Sequence, residues 1–242
     1  VFVLFTDFGL NGPYVGQLKA ALLRGLPNQP VVDLLHDAPS MDPRAAAYLL
    51  EPFTRGLPEE AITLGVVDPG VGTDRPGCVV EADGRWFVGP MNGLFEFVVR
   101  RASEWAAWSL VPSGGPVAPT FHGRDVFAPA ALALMRGDRS VLGGVLEERP
   151  GEDWPDDVPR ILYVDAYGNA MSGIRGSMLS DGAIVEAGGK RFRGASTFGD
   201  VELGKPFWYR NSSGLVEIAV NGDSAADVLG LEAGSRVRLI RP

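Results

Sequence analysis

Residues 1–6, VFVLFT, form an apolar run of the kind expected for a strand buried on both faces. A helix is predicted over 14–26, with Val15, Leu18, Ala21 and Leu22 spaced three and four apart on one stripe. A short strand follows over 30–35. Asp42 and Pro43 then read as an N-cap and a first-turn proline for a helix through Phe53. A third strand covers 61–67, and 77–88 reads as a hairpin turning at Asp83-Gly84. Further helices are predicted over 92–102 and 125–135. Strands alternating with helices predict an α/β domain over residues 1–146 with a largely parallel central sheet.

The pattern changes at 147–159, a stretch rich in Pro, Glu and Asp that reads as a linker. Beyond it come short strands over 161–165, 182–187, 190–192, 207–210, 215–220 and 235–240, separated by Gly, Asn and Asp turns. Only 224–229 has a helical pattern. Residues 160–242 are therefore expected to form a small all-β, barrel-like domain.

The 242 residues, 45% of them hydrophobic, suffice for one large or two modest cores. The net charge of −8 comes without a basic stripe, which argues against nucleic acid as a partner. No apolar run approaches the roughly 20 residues that span a bilayer. The opening VFVLFTDFGL lacks the basic flank and small-residue cleavage site of a signal peptide, so a cytosolic protein is expected. The single cysteine, Cys78, permits neither an internal disulfide nor a thiolate zinc site, and its apolar context GCVVEA predicts a core position.

Open α/β sheets bind ligands outside the carboxyl ends of their strands. Three polar clusters fall at such places: Thr6-Asp7-Phe8-Gly9, Asp68-Pro69-Gly70-Val71-Gly72, and Phe121-His122-Gly123-Arg124-Asp125. Each alone is ordinary turn or cap chemistry. Two carboxylates together with one of only two histidines point further, and a metal site built from Asp7, Asp68 and His122 is one reading. The other histidine, His36, is read as a structural hydrogen-bonder after the second strand. Asp7-Phe8-Gly9 and His122–Asp125 resemble kinase motifs only in reversed order. A phosphate loop, a G-x-G-x-x-G turn into a helix and a G-x-S-x-G elbow are all missing from the sequence.

In order along the chain stand T-D-F-G, D-P-G-V-G-T-x-R, G-P-x-N-G and F-H-G-R-D-x-F-A-P, then D-A-Y-G-N and N-S-S-G-L-x-E-I-A-x-N. Together these six motifs resemble the S-adenosyl-L-methionine hydroxide adenosyltransferases, adenosine-forming hydrolases related to the fluorinase and chlorinase enzymes. The resemblance implies an α/β domain joined to a β-barrel-like domain, and homotrimers whose sites lie between one subunit's first domain and its neighbour's second. It implies attack of water or hydroxide on ribose C5′, releasing adenosine and L-methionine, with Asp68, Arg75 and His122 as the catalytic set. By the same resemblance Asp7 accepts the ribose hydroxyls, and Asp165 meets the methionine ammonium. Asn169, Phe198 and the Val220–Gly222 backbone surround the adenine, and Ser212 and Ser213 face the methionine carboxylate. Met41 falls where the halogenases have an aromatic wall. Those relatives also carry a tyrosine at the position of Asp68 and an extra first-domain loop that has no counterpart here.

The chemistry suits those side chains. A neutral thioether departs from a sulfonium without help from a general acid, so the difficulty lies in the nucleophile. A hydrogen-bonded Asp68–His122 pair is expected to take the water proton while Arg75, always charged, holds the hydroxide. No metal or cofactor is required by this reading. Its rivals are a chlorinase-like halogenase and a non-catalytic module that binds adenosine or S-adenosyl-L-methionine.

Overall fold

The computed structural model describes residues 1–180 and 182–240. They form two compact units that divide between Asp153 and Trp154, inside the stretch predicted as a linker. Residues 181, 241 and 242 of the predicted second domain lie outside the described residues.

The first unit runs β1 (Phe2–Thr6), α1 (Tyr14–Gly25), β2 (Val31–Leu35), α2 (Pro43–Thr54), β3 (Ile62–Val66), β4 (Gly77–Ala82) and β5 (Arg85–Pro90). It continues through α3 (Glu96–Arg101), β6 (Trp105–Leu110), a π turn at Gly123–Phe127, α4 (Ala128–Met135) and β7 (Leu142–Val145). One seven-stranded sheet results, in the order β2-β1-β3-β5-β4-β6-β7. The strands β2, β1, β3 and β5 are parallel neighbours. On the other side, β5, β4, β6 and β7 pair antiparallel. The sheet is therefore mixed rather than largely parallel. The hairpin at Asp83-Gly84 reverses the chain, and β6 and β7 then add at the β4 side.

Every residue of β1 and β3 is buried, as two central strands covered on both faces must be. One side is filled by Phe2, Leu4, Leu64 and Val66 against Leu18 and Leu22 of α1 and Ala131 of α4. Asp42 caps α2 by accepting a bond from the Ala45 N–H at 2.9 Å, with Pro43 in the first turn. Two glycines, Gly65 and Gly89, make a notch for the Phe95 ring. A Cβ at Gly89 would lie 2.1 Å from the Gly65 carbonyl oxygen, and one at Gly65 would lie 2.7 Å from Phe95 Cε1.

Two helices start three or more residues later than predicted. Residues 92–95 are not helical because Asn92 makes a turn instead: its amide donates to the Val67 carbonyl at 2.9 Å and its oxygen accepts from the Leu94 N–H at 3.3 Å. The helix predicted over 125–135 begins as the π turn and becomes α-helical only at Ala128.

The second unit runs β8 (Val158–Val164), β9 (Ala170–Arg175), β10 (Ile184–Ala187), β11 (Lys190–Arg193), β12 (Pro206–Arg210), β13 (Leu215–Val220), α5 (Ala225–Leu229) and β14 (Arg238–Ile240). Two sheets form, β11-β10-β14 and β12-β13-β9-β8. Isolated bridges join their margins, Gly194 to Trp208 and Arg160 to Arg236. Ile161, Ile174, Val185, Phe192, Val216 and Ile218 are among the residues of its core. The α5 helix is capped by the Ser224 hydroxyl and ends at left-handed Gly230.

Candidate functional site

Strands β1 and β3 are parallel neighbours, so the residues that follow them emerge side by side. The Asp7 N–H donates to the Val66 carbonyl at 3.3 Å, and the Asp7 carboxylate accepts from the Met41 N–H at 2.9 Å. Burial raises the Asp7 pKa above the ordinary carboxylate range, and the charge of Asp68 adds to the rise against the backbone hydrogen bonds. His36 is buried and shares hydrogen bonds with Thr6 Oγ1 at 2.8 Å and Asp33 Oδ1 at 3.1 Å. It ties the ends of β1 and β2 together, the structural role expected of it.

Asp68 lies two residues beyond the end of β3, and the loop behind it folds back on the carboxylate. Oδ1 accepts from the Gly70 N–H at 3.2 Å, and Oδ2 forms an ion pair with Arg75 Nη2. Both side chains are withdrawn from solvent, 4% exposed for Asp68 and 12% for Arg75. Arg75 Nη1 donates to the Pro76 carbonyl, and its Cζ lies 5.7 Å from the centre of the Phe127 ring in the π turn. Its Nε is buried with no hydrogen-bond partner among the described residues. The glycines serve close approach: Gly72 has φ +81°, and a Cβ there would sit 2.9 Å from the Pro119 carbonyl oxygen.

His122 immediately precedes the π turn without a side-chain capping bond, and the turn's first residue, Gly123, leaves room for Phe8: a Cβ there would lie 3.2 Å from Phe8 Cζ. The strand-end loops carrying Asp7, Asp68–Arg75 and His122 are thus brought together. The expected Asp68–His122 hydrogen bond is absent among the described residues. Arg75 and the Gly70 N–H occupy the Asp68 oxygens instead, and the His122 ring makes no hydrogen bond among the described residues. Asp125 is held by a two-point pair with Arg124, both contacts at 2.7 Å, which lowers its pKa. Among the described residues no group of three or more His, Cys, Asp or Glu is disposed to hold a metal ion, so Asp7, Asp68 and His122 do not form such a set.

The second unit carries a cleft of about 810 Å³ on its own. Asp165, Asn169, Phe198, Ser212, Ser213, Val220 and Gly222 all line it. The Asp165 carboxylate shapes the turn it begins, accepting from the Tyr167 N–H at 2.9 Å, the Asn169 N–H at 2.8 Å and the Asn169 amide at 3.0 Å. Phe198 stands edge-on to Phe207 and Tyr209, with ring centres 5.1 and 5.5 Å apart. Tyr209, which the sequence reading missed, and Tyr167, Asn211 and Glu217, which stand in its motifs without an assigned role, also line the cleft. Burial first, then the hydrogen bond to Glu217, raises the Tyr209 pKa, and burial raises that of Glu217. No described helix is long and apolar enough to cross a membrane.

Residues 2–142 match the SAM hydroxide adenosyltransferase N-terminal domain, and residues 159–238 match the C-terminal domain of the same family. The chain belongs to the SAM hydroxide adenosyltransferase family. Across that family it is 41% identical to an (R)-S-adenosyl-L-methionine hydrolase of Thermus thermophilus, with 97% of each chain covered. A Salinispora tropica protein of the same name is 35% identical over 97% of this chain and 95% of its own. A fluorinase of Actinopolyspora mzabensis is more distant, at 23% identity over 100% of this chain and 97% of its own. The crystal structure of an uncharacterized conserved protein from Thermotoga maritima superposes with a TM-score of 0.88 at 29% identity, each chain fully covered. The family match spans both units, and so do the two groups of candidate residues.

Proposed function

We propose that this SAM hydroxide adenosyltransferase hydrolyses (R)-S-adenosyl-L-methionine to adenosine and L-methionine. The likeness over 97% of the chain to proteins named for that activity carries the reading. Water attacks ribose C5′ in line with the sulfonium, and the thioether leaves neutral. Asp68 accepts the water proton. Arg75 stabilises the hydroxide, and its buried Nε, without a hydrogen-bond partner among the described residues, supports that role. His122, whose ring makes no hydrogen bond among the described residues, is the second proton acceptor in this reading. General-base assistance supplies about 10²–10⁴ in rate, and in-line placement with removal of hydration supplies much of the rest.

Asp7 accepts the ribose hydroxyls in this reading. Phe198, Asn169 and the Val220–Gly222 backbone take the adenine, while Asp165, Ser212 and Ser213 take the methionine end. These groups are divided between the two units, which supports a homotrimer whose sites lie between subunits. The margin bridges Gly194–Trp208 and Arg160–Arg236 support a barrel-like second domain. The reaction needs no metal or cofactor, and a cytosolic setting completes the proposal.

Incubation with each sulfonium epimer, in chloride, followed by separation of the products tests the reading. Adenosine and methionine are expected, from the R epimer. Formation of 5′-chloro-5′-deoxyadenosine would replace hydrolysis by halide transfer, and binding without turnover would leave a binding module. Mixing Asp68→Ala and Asn169→Ala subunits should restore part of the activity if sites are shared. Absence of rescue after proven subunit exchange would refute the shared site.

A further inference from the structure

Strand β13, Leu215–Val220, turns Val216, Ile218 and Val220 into the core of the second unit. By the alternation of a strand, Glu217 points to the other face, where it lines the cleft. It is only 2% exposed, and no Lys or Arg pairs with it among the described residues. A carboxylate in such a place needs hydrogen bonds to remain there. It has two. Its cross-strand partner Tyr209 donates its hydroxyl to Oε1, and the Asn211 amide donates to Oε2 at 2.6 Å.

Each of these donors leads to a different part of the cleft. The Asn211 oxygen accepts from the Ser213 N–H at 3.0 Å and the Leu215 N–H at 2.9 Å, so Asn211 orders the loop that carries Ser212 and Ser213. The Tyr209 ring packs 5.5 Å from Phe198. Fixing the Asn211 amide therefore fixes the serine loop, and fixing the Tyr209 hydroxyl fixes the aromatic wall.

We infer that Glu217 is a positioning residue that holds both ends of the cleft: the Ser212–Ser213 loop through Asn211, and the Phe198 wall through Tyr209. This deepens the proposed function and rests on its assignment of the serines to methionine and of Phe198 to adenine. Glu217 itself need not touch the substrate.

Reversing the hydrogen bond between Asn211 and Glu217 tests the inference. In Asn211→Asp the new carboxylate still accepts from the Ser213 and Leu215 N–H groups, but it now faces Glu217 acceptor to acceptor. Adding Glu217→Gln restores a donor–acceptor pair with opposite polarity and leaves an oxygen to accept from Tyr209. The assays are run at alkaline pH, to keep a shared proton from bridging the two carboxylates. Asn211→Asp should raise KM for S-adenosyl-L-methionine about ten- to hundredfold, with kcat and adenosine affinity within about threefold of wild type. The double variant should return KM to near the wild-type value. A folded Asn211→Asp variant with unchanged KM would overturn the inference, and so would a raised KM that the folded double variant fails to restore.

Tyr209→Phe examines the other arm, because it keeps the ring and removes only the hydroxyl. It should weaken adenosine binding several-fold by calorimetry, and an unchanged affinity would overturn that half even if Asn211→Asp failed to fold. A wild-type protein that neither bound adenosine nor turned over substrate would overturn the proposed function, and this inference with it.

Discussion

Replacing Asp68 by Asn keeps the shape of the side chain and removes its charge. The remaining oxygen can still accept from the Gly70 N–H, seen at 3.2 Å, while the new amide faces Arg75 donor to donor. Breaking a buried ion pair by removing one partner costs about 3–5 kcal/mol. Here Arg75 retains the Pro76 carbonyl and some access to solvent, which puts the loss nearer that of one charged hydrogen bond, about 1.5–3 kcal/mol. For a chain of this size each kcal/mol lowers Tm by roughly 2–4 °C. A fall of about 3–12 °C is therefore expected in thermal unfolding. The effect on reaction is larger: loss of the proton acceptor should lower the single-turnover rate by about 10²–10⁴. Adenosine binding, measured by calorimetry well below the lowered Tm, should stay within a few-fold because Asp7 and the second-unit residues are untouched. Turnover near the wild-type rate would refute the assignment of Asp68 to water activation. Adenosine affinity falling in parallel with turnover would make Asp68 a binding residue instead.

Asp7 has its pKa raised by burial, so its stabilising contribution is fully present below the ordinary carboxylate range and is lost as pH rises through the raised value; Asp7→Asn should flatten that decline in pH-dependent unfolding. The same variant should weaken adenosine binding about tenfold or more by calorimetry. Cys78 is buried, and burial pushes its thiol up to about 12, so the native protein should resist alkylation by iodoacetamide at pH 8 and react only once unfolded. Gly89→Ala would force a methyl group into the Gly65 carbonyl, and overpacking of this kind should cost about 1–3 kcal/mol, read as a lowered Tm. Activity should survive exhaustive EDTA treatment, because a divalent ion beside Arg75 would add repulsion at the nucleophile; loss on chelation with recovery on adding metal would contradict the proposed mechanism.

Local signals in the sequence were informative where one residue type dictates one conformation. Asp42 followed by Pro43 marked a helix start, and Asp83-Gly84 marked a hairpin whose two residues adopt φ of 47° and 78°. Polar clusters after apolar runs located Asp7 and Asp68 at strand ends. Pairing partners were less legible. Nothing in WAAWSL or LGGV reveals that β6 and β7 extend the sheet antiparallel beyond β4, and β9 was overlooked because Gly173 and Ser172 interrupt its apolar pattern. Tyr209 and Glu217 stand opposite each other only once the register of β12 against β13 is known. A faint signal for Glu217 did exist, since LVEIAV puts one ionisable residue in an otherwise apolar run. Resemblance brought in Arg75 and His122 as catalytic partners, but it could not foresee that Asp68 would spend its hydrogen bonds on Arg75 and Gly70 rather than on His122.

The π turn at Gly123–Phe127 has an evolutionary implication. Such a turn is an α-helix carrying one residue too many, and these bulges are found disproportionately at functional sites. Each residue of an α-helix advances by about 100° around the axis. Deleting one residue between His122 and Ala128 would let α4 wind regularly back to its start, while swinging His122 through roughly that angle. A sibling chain one residue shorter here would gain a more regular helix and lose the alignment of its histidine. This single extra residue thus trades regularity at the start of the helix for the direction in which His122 leaves the turn.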